Sequence, residues 1–249
     1  MTLGVRDTAR RVRDTPLRVY DPRRIAEIAG ERVVFEFLKR QGFLDALENK
    51  RILEIGPKHG QDSLRLAGLK PRELVLIDLP NTDSMIEKWL PTVPCRTTYV
   101  QGNVSYLTQD QVRQLGTFNL VWCTGVIYYE CEQLRLLKRL FDLTTCGGRI
   151  VVESSTTRNS RLKDLNVVEI HWPMPYRHRV THLPSRLAIR SWLEMVGFEH
   201  CEIRDVYSRR LRNTRAVCTA MKTTGSTPYS SHTFKTQGLN PRYEAGAAT

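Results

Sequence analysis

The chain has 249 residues, of which 41% are hydrophobic, and its mean hydropathy is −0.38. These values are typical of a globular protein with a full core, and no apolar run approaches the roughly 20 residues that a membrane-spanning helix needs. The net charge is +12, and half of this excess falls in residues 151–222. That distribution indicates either an anionic partner, such as a phosphorylated substrate or RNA, or a solvated basic face.

Two features bear on the cellular compartment. The N-terminus is rich in arginine, as transit peptides are, but Asp7 and Asp14 interrupt it and no apolar signal core follows. The six cysteines form no CxxC pair and do not cluster with histidine, so their spacing predicts no metal site and no disulfide framework. We therefore expect a cytoplasmic protein whose reduced cysteines pack as small apolar residues.

The first half of the chain predicts an α/β fold. Residues 22–47 are predicted to be helical, because Asp21 suits the N-cap, Pro22 suits the first helical position, and apolar residues recur at helical spacing. From Arg51 onward, short apolar runs alternate with helical stretches, which predicts a parallel sheet with helices on both faces. The predicted strands are 51–55, 73–78, 97–101, 118–123 and 148–153, and the helices between them are about 60–68, 82–89, 108–115 and 131–143.

The remainder of the chain is predicted to be less regular at first. Residues 155–183 are basic and irregular, and we expect them to form an insertion that covers the substrate. A helix at 184–196 should end at Gly197, and strands at 199–206 and 214–221 should form an antiparallel hairpin that completes a seven-stranded sheet. The predicted division is 1–50 as an N-terminal helical cover, 51–222 as the main domain, and 223–249 as a disordered tail.

A glycine-containing loop follows the first predicted strand, in the run ILEIGPKHGQDS from Ile52 to Ser63. Such a loop is either a plain turn or a cradle for a nucleotide at the helix N-terminus. Asp78 ends the second strand, where it can accept hydrogen bonds from both hydroxyls of a ribose. Glu54 would repel the pyrophosphate of a dinucleotide, but it suits a cofactor with an ammonium group and no phosphate. These residues together favour S-adenosylmethionine over NAD.

With these motifs the chain resembles the class I S-adenosylmethionine-dependent methyltransferases over about residues 50–222. In that family the loop reads acidic-apolar-Gly-x-Gly-x-Gly; Glu54, Gly56 and Gly60 match this pattern, and Lys58 replaces the middle glycine. The resemblance implies a Rossmann-like class I methyltransferase fold and S-adenosylmethionine as the cofactor. The cofactor-binding residues that it implies are Glu54, Gly56, Pro57, Lys58 and Gly60 for the amino-acid part, Asp78 for the ribose, Leu79, Asn103 and Val104 for the adenine, and Cys123 at the end of the fourth strand.

Two residues depart from the family pattern. Lys58 can either point outward with only its backbone near the cofactor, or contact the carboxylate of the methionine part, as His59 also can. Asn119 in the fourth strand stands where the family more often has aspartate. These departures keep open the alternative of a methyltransferase-like binding protein that catalyses nothing.

A narrower resemblance is to the enzymes that carboxymethylate the tRNA wobble uridine from carboxy-S-adenosylmethionine. It rests on residues 125–129, 183–185 and 192–198. The chain has about 50 residues before the cofactor loop and no counterpart of the long N-terminal part of that family. Glu130 stands near the position where that group tends to have a cation, and an additional carboxylate on the cofactor needs a cation. We therefore expect ordinary S-adenosylmethionine.

The acceptor should bind at the carboxyl ends of the strands, where open α/β sheets hold their ligands. His171, His178 and His182 lie in the covering segment, and each is a candidate for the base that deprotonates the acceptor, or an ordinary surface histidine. Tyr128 can contact the cofactor or orient the acceptor. The segment 172–176 is a candidate substrate wall with a basic rim.

The leading hypothesis is a methyltransferase that acts on an oxygen or nitrogen of a small-molecule acceptor of secondary-metabolite type, which can be anionic. The alternatives are a tRNA- or RNA-modifying methyl- or carboxymethyltransferase and the non-catalytic binding protein. RNA is therefore a less favoured partner than a small molecule. No sequence feature indicates a membrane partner or specifies an oligomeric state.

Overall fold

The computed structural model describes residues 32–79, 86–157, 159–171, 181–208 and 213–225. The helices in these ranges are α1 (Arg32–Arg40), α2 (Gln61–Ala67), α3 (Ile86–Trp89), α4 (Gln109–Leu115), α5 (Gln133–Leu143) and α6 (Arg186–Val196). The strands are β1 (Arg51–Ile55), β2 (Glu73–Asp78), β3 (Thr97–Gln101), β4 (Phe118–Thr124), β5 (Thr144–Ser155), β6 (Val168–His171), β7 (Thr181–Pro184), β8 (Glu199–Ser208) and β9 (Asn213–Met221). Short 3-10 turns at Val104–Tyr106 and Ile127–Tyr129 follow β3 and β4.

Seven of the described strands form one sheet in the order β3-β2-β1-β4-β5-β9-β8. Strands β1 to β5 are parallel, and β9 pairs antiparallel with both β5 and β8. The predicted α/β fold with its C-terminal antiparallel hairpin is therefore confirmed. Because the strand order reverses between β1 and β4, the carboxyl ends of these two strands form the crevice in which such sheets bind ligands.

Both faces of the sheet are buried, as a parallel sheet requires. On one face, Leu53 and Val75 pack in a cluster with residues of α5 and α6. On the other face, Leu74 and Trp122 pack in a second cluster with α1 and with the side chain of Trp89. The helices thus cover both faces, as the sequence predicts. No helix within the described ranges is long and apolar enough to cross a lipid bilayer.

The first described helix ends earlier in the chain than predicted. Residues 22–31 lie outside the described ranges, and α1 ends at Arg40 instead of residue 47. Gly42 adopts a left-handed conformation, with φ of 70°, and the amides of Gly42 and Phe43 donate to Lys39 O (3.1 Å) and Leu38 O (3.0 Å). This is the Schellman pattern of helix termination, and glycine at this position is the reason for it.

Residues 155–183 contain regular structure that the sequence does not predict. β6 and β7 form a separate two-stranded antiparallel sheet, in which Ile170 is opposite His182. β5 is also longer than predicted, since it starts at Thr144. The expectation of an irregular segment was therefore wrong for the two strands. Each has only four residues, which is too short for a distinctive hydrophobic period.

The remaining local predictions have mixed outcomes. α6 begins after the Ser185 cap and ends at Gly197, whose φ is 108°, so this helix end is confirmed. The six cysteines form no disulfide. Cys123 and Cys218 are buried, but Cys131 and Cys146 are exposed, so the expectation that all cysteines pack as apolar residues was wrong for these two. Of the predicted tail 223–249, residues 226–249 lie outside the described ranges.

Candidate functional site

The loop between β1 and α2 is a tight turn with two glycines in left-handed conformations. Gly56 has φ of 70° and donates its amide to Ile77 O of β2 at 2.8 Å. A Cβ on Gly56 would lie 2.8 Å from Val126 Cγ2, which is too close. Gly60 has φ of 72° and donates its amide to Pro57 O at 2.8 Å, which closes the turn. Both positions therefore require glycine, as the family pattern predicts.

Lys58, the residue in place of the middle glycine, is held by its backbone. Its φ is 45°, its side chain is exposed, and its amide points to Asp78 Oδ2 at 3.4 Å. Its carbonyl accepts a hydrogen bond from Trp89 Nε1 at 3.2 Å. The side chain thus points outward, and the backbone carries the contacts within the protein.

Two buried carboxylates flank this loop. Glu54 is 3% exposed and accepts a hydrogen bond from Ser63 Oγ at 2.6 Å. Asp78 is 8% exposed, and its Oδ1 accepts from the amide of Leu79 at 2.8 Å. The side chain of Leu79 is 49% exposed, so an apolar surface lies next to a carboxylate at the end of β2. The carboxylate can bind the hydroxyls of a sugar, and the apolar surface can contact a ring attached to that sugar.

A third buried carboxylate, which the sequence analysis did not single out, lies under the loop. Asp62 in the first turn of α2 accepts hydrogen bonds from Trp122 Nε1 (2.9 Å), Thr124 Oγ1 (3.1 Å) and Arg65 Nη1 (2.9 Å). Burial raises the pKa of Asp62 above its ordinary value, although these hydrogen bonds and the charge of Arg65 oppose the shift. Asp62 therefore joins the helix after the loop to the end of β4.

The loop after β3 is connected to the loop after β4. Asn103 Oδ1 accepts from the amide of Ser105 at 2.9 Å, and Val104 is buried. Ser105 Oγ donates to Glu130 Oε2 at 2.9 Å, and the amide of Glu132 donates to Glu130 Oε1 at 3.1 Å. The Glu130 carboxylate therefore binds protein donors from both loops.

The carboxyl ends of β4 and β5 carry an ion pair that the sequence analysis missed. Arg215 of β9 donates from Nε and from Nη2 (2.7 Å) to the two oxygens of Glu153, and from Nη1 to Ser155 Oγ (3.1 Å). The amide of Gly125 also donates to Glu153 Oε2 at 3.1 Å. Although burial disfavours the charged guanidinium, the hydrogen bonds and charge of Glu153 raise the pKa of Arg215 above its ordinary value. The only sequence signal is a single charged residue just before the apolar run 216–218.

Tyr128 lies against this ion pair. The guanidinium carbon of Arg215 is 5.6 Å from the centre of the Tyr128 ring, and the Tyr129 ring centre is 4.2 Å from that of Tyr128. Burial raises the pKa of the Tyr128 hydroxyl above its ordinary value, and the charge of Arg215 only partly opposes this. Tyr128 therefore stays protonated at neutral pH and can donate a hydrogen bond.

The side chains of Cys123 and Asn119 are less available for contact with a cofactor than their positions in the sequence indicate. Cys123 is fully buried, and burial, with smaller effects of Glu153 and Glu130, raises its pKa to about 12. A cofactor contact through its backbone stays a prediction. Asn119 lies at the amino end of β4, away from the crevice, where its Oδ1 accepts from the amide of Arg51 at 3.1 Å. Asn119 is thus a structural residue.

Two of the three candidate histidines lie in the described β6–β7 sheet. His171 Nε2 is 3.3 Å from Glu169 Oε1. His182 is in β7, which packs against the turn Ile127–Tyr129, and its Nδ1 is buried without a hydrogen-bond partner in the described part of the chain. His178 and the segment 172–176 lie outside the described residues. The structure therefore brings the strand of His182 next to the loop of Tyr128.

Comparison with known proteins agrees with this architecture. A 1,6-didemethyltoxoflavin-N1-methyltransferase of Burkholderia thailandensis, crystallised with S-adenosylhomocysteine, superposes with a TM-score of 0.58 at 14% identity, covering 84% of this chain and 94% of that one. The N-methyltransferase NodS of Bradyrhizobium japonicum WM9 superposes with a TM-score of 0.59 at 15% identity, covering 79% and 89%. At these identities the likeness shows the fold.

Sequence comparison identifies relatives and the family. A tRNA U34 carboxymethyltransferase of Psychrobacter sp. (strain PRwf-1) is 26% identical over 191 residues, which cover 70% of this chain and 52% of that protein. The chain thus spans about half the length of the curated relatives that it matches. The family profile described as "Methyltransferase domain" matches residues 24–203, well over half of the chain. The chain belongs to this methyltransferase family.

Proposed function

We propose that this methyltransferase-family protein transfers a methyl group from S-adenosylmethionine to an oxygen or nitrogen of a small-molecule acceptor. One observation carries the proposal. The loop Gly56–Gly60 lies between two buried carboxylates, Glu54 and Asp78, and is bound to the second by the Lys58 amide. A carboxylate at the loop mouth suits an ammonium group and opposes a pyrophosphate.

The residues present fit S-adenosylmethionine. Glu54 and the backbone of the loop would hold its amino-acid part, and Asp78 would hold the ribose hydroxyls. The exposed side chain of Leu79 and the turn after Asn103 would flank the adenine. When bound, the cofactor supplies a methyl group on a sulfonium, which the acceptor takes in an in-line displacement.

The carboxyl ends of β4 and β5 would position the acceptor. Tyr128 would donate a hydrogen bond to it from a protonated hydroxyl, and the Glu153–Arg215 pair would keep that ring in place. A hydroxyl or amine loses a proton when it is methylated, and His182 is the candidate base because its strand packs against the turn of Tyr128.

Calorimetric titration with S-adenosylhomocysteine tests the proposal. We expect stoichiometric binding, and we expect Asp78→Ala to weaken it by ~1–3 kcal/mol, the loss typical of charged hydrogen bonds. Asp110→Ala is the matched control, because Asp110 is an exposed carboxylate on α4 that pairs with Arg113. Absence of binding to folded wild-type protein would rule out the proposed cofactor.

A second candidate is carboxymethyl transfer to tRNA, as in the names of the curated relatives. The observation in its favour is Arg215, a cation beside Tyr128, because the additional carboxylate of that cofactor needs a cation. The same Glu153 neutralises the charge of Arg215, which favours S-adenosylmethionine over its carboxylated form. Parallel titrations with S-adenosylmethionine and its carboxylated form would decide between the two. Binding of tRNA that falls steeply with salt would support the second candidate.

The third candidate is a methyltransferase-like protein without catalytic activity. Its motivation was the two departures from the family pattern, Lys58 and Asn119. The departure at Asn119 no longer supports it, because Asn119 binds the Arg51 amide at the amino end of the sheet. Turnover of S-adenosylmethionine with any acceptor from a screen would eliminate it.

A further inference from the structure

Trp89 makes two contacts with the loop between β1 and α2. It is the last residue of α3, is fully buried, and packs with residues of the core cluster that contains Leu74 and Trp122. Its indole Nε1 donates to Lys58 O at 3.2 Å. Its position is itself fixed, because Thr92 Oγ1 donates to Trp89 O at 2.6 Å. A rigid, buried donor thus reaches the middle of the loop.

The second contact is between the Trp89 ring and Gly60. A Cβ on Gly60 would lie 2.2 Å from Trp89 Cε3 and 2.3 Å from Cδ2, so the ring is directly against the glycine backbone. The hydrogen bond and this contact hold two residues of the same turn, which the Gly60 amide closes onto Pro57 O. One side chain therefore fixes the turn at two points.

Lys58 needs such support. A residue with a Cβ is disfavoured in the left-handed region, and Lys58 has φ of 45° where the family pattern has glycine. Its side chain is exposed, whereas its amide contacts Asp78 and its carbonyl contacts Trp89. The conformation is therefore imposed from outside the loop.

We propose that Trp89 is a positioning residue that holds the loop in its cofactor-binding conformation and thereby replaces the conformational freedom of the missing middle glycine. This inference rests on the proposed function, since it concerns the same loop. It assigns to Trp89 a role beyond packing: the indole N–H keeps the Lys58 carbonyl turned away from the crevice, and the Lys58 amide consequently stays directed at Asp78. Loss of the N–H alone should loosen the loop.

The substitution Trp89→Phe tests the role of the N–H, because it keeps an aromatic ring and removes the donor. We expect the Kd for S-adenosylhomocysteine to rise about tenfold in calorimetry, the value of roughly one hydrogen bond. Phe141→Leu is the control for lost stability, because Phe141 is equally buried but packs in the cluster on the other face of the sheet. It should lower the unfolding midpoint and leave the Kd unchanged.

Lys58→Gly provides the rescue. A glycine adopts the left-handed conformation without support, so Lys58→Gly should restore most of the binding lost in Trp89→Phe. Equal Kd values for Trp89→Phe and wild type would overturn the proposal. A loss of binding that Lys58→Gly does not restore would also overturn it.

The same variants separate this inference from the proposed function. If wild-type protein binds no S-adenosylhomocysteine, the proposed function fails, and the role of Trp89 is then judged from unfolding midpoints alone. In that measurement Lys58→Gly should stabilise the Trp89→Phe protein more than it stabilises the wild type, because only the former has an unsupported left-handed lysine. Equal effects in the two backgrounds would refute it.

Discussion

The two halves of the crevice are built by different means. In the cofactor half, the hydrogen bonds of Glu54, Lys58, Asp78 and Trp89 join residues that are at most 31 positions apart in the chain. In the acceptor half, Glu153 and Arg215 are 62 residues apart and meet only because β5 and β9 pair. The cofactor half takes its shape from backbone conformation, whereas the acceptor half depends on a largely buried ion pair.

This difference has a physical consequence. A loop shaped by left-handed glycines is damaged by an added Cβ, which changes no charge. An ion pair with little exposure is damaged by removal of one charge, which leaves the other without compensation. A substitution that adds a Cβ should therefore damage the cofactor half, and a substitution that removes a charge should damage the acceptor half.

The largest effect should come from Glu153→Gln in the acceptor half. Its loss leaves the Arg215 guanidinium uncompensated at a site where the two side chains are only 5% and 19% exposed. We expect a loss of about 3–5 kcal/mol in the free energy of unfolding, measured by denaturant titration. The double substitution with Arg215→Gln should recover part of it, and Glu194→Gln, which disrupts an exposed pair with Arg190, should leave the midpoint unchanged. A wild-type midpoint for Glu153→Gln would contradict the role of the pair.

Gly60→Ala should produce the next largest effect, in the cofactor half. The new Cβ would overlap the Trp89 ring, and the alanine would have to adopt the left-handed backbone conformation of Gly60. We expect a loss of about 2–4 kcal/mol in the free energy of unfolding, from overpacking and backbone strain together. Gly102→Ala is the matched control, because a Cβ there meets nothing within 4 Å. Similar losses for both glycines would mean that the Trp89 contact does not limit the loop.

Ser105→Ala should have a smaller effect and tests the connection between the halves. It removes the hydrogen bond from buried Ser105 to Glu130 Oε2. We expect a loss of about 1 kcal/mol in the free energy of unfolding. Ser191→Ala removes an exposed side-chain hydrogen bond to Asn166 and should cost less. If the two variants lose equal stability, the connection contributes nothing beyond a surface contact.

The smallest effect that we expect is a pH dependence from Asp62. Because burial raises its folded-state pKa above 3.8, the folded protein binds more protons than the unfolded chain in the range just above pH 3.8. The contribution of Asp62 to stability is therefore fully present below that pH and is lost as the pH rises through its folded-state pKa. Denaturant titrations of wild type and Asp62→Asn over pH 4–7 should give a stability difference that shifts in favour of Asn as the pH rises. A shift in the opposite direction would contradict the raised pKa.

Most of the fold could be predicted from the sequence. The first four strands agree with the structure within one residue, because each is a short apolar run followed by turn or helix signals. Gly197 and Ser185 mark the ends of α6 by local chemistry alone. The β6 and β7 strands could not be predicted, because four-residue segments such as Val168–His171 have no distinctive period and depend on pairing with another short strand.

The candidate site divides in the same way. Gly56, Gly60, Glu54 and Asp78 were predictable, since the pattern of a strand, a glycine loop and a second strand with a terminal acid is continuous in the sequence. The role of Glu130 was only partly visible, because its charge can be read from the sequence but its hydrogen bond with Ser105 cannot. The placements of the cofactor and of the catalytic histidines stay predictions.

The sequence by itself determined the order of strands and helices, the left-handed glycines and the acidic loop, because periodicity, helix capping and glycine conformation act between neighbouring residues. Only the tertiary structure decided that Trp89 supports Lys58 and that Glu153 neutralises Arg215. A tryptophan in a helix and an arginine in a strand are compatible with many partners. The choice among partners depends on which elements the sheet brings within hydrogen-bonding distance, and that depends on the packing of the whole domain.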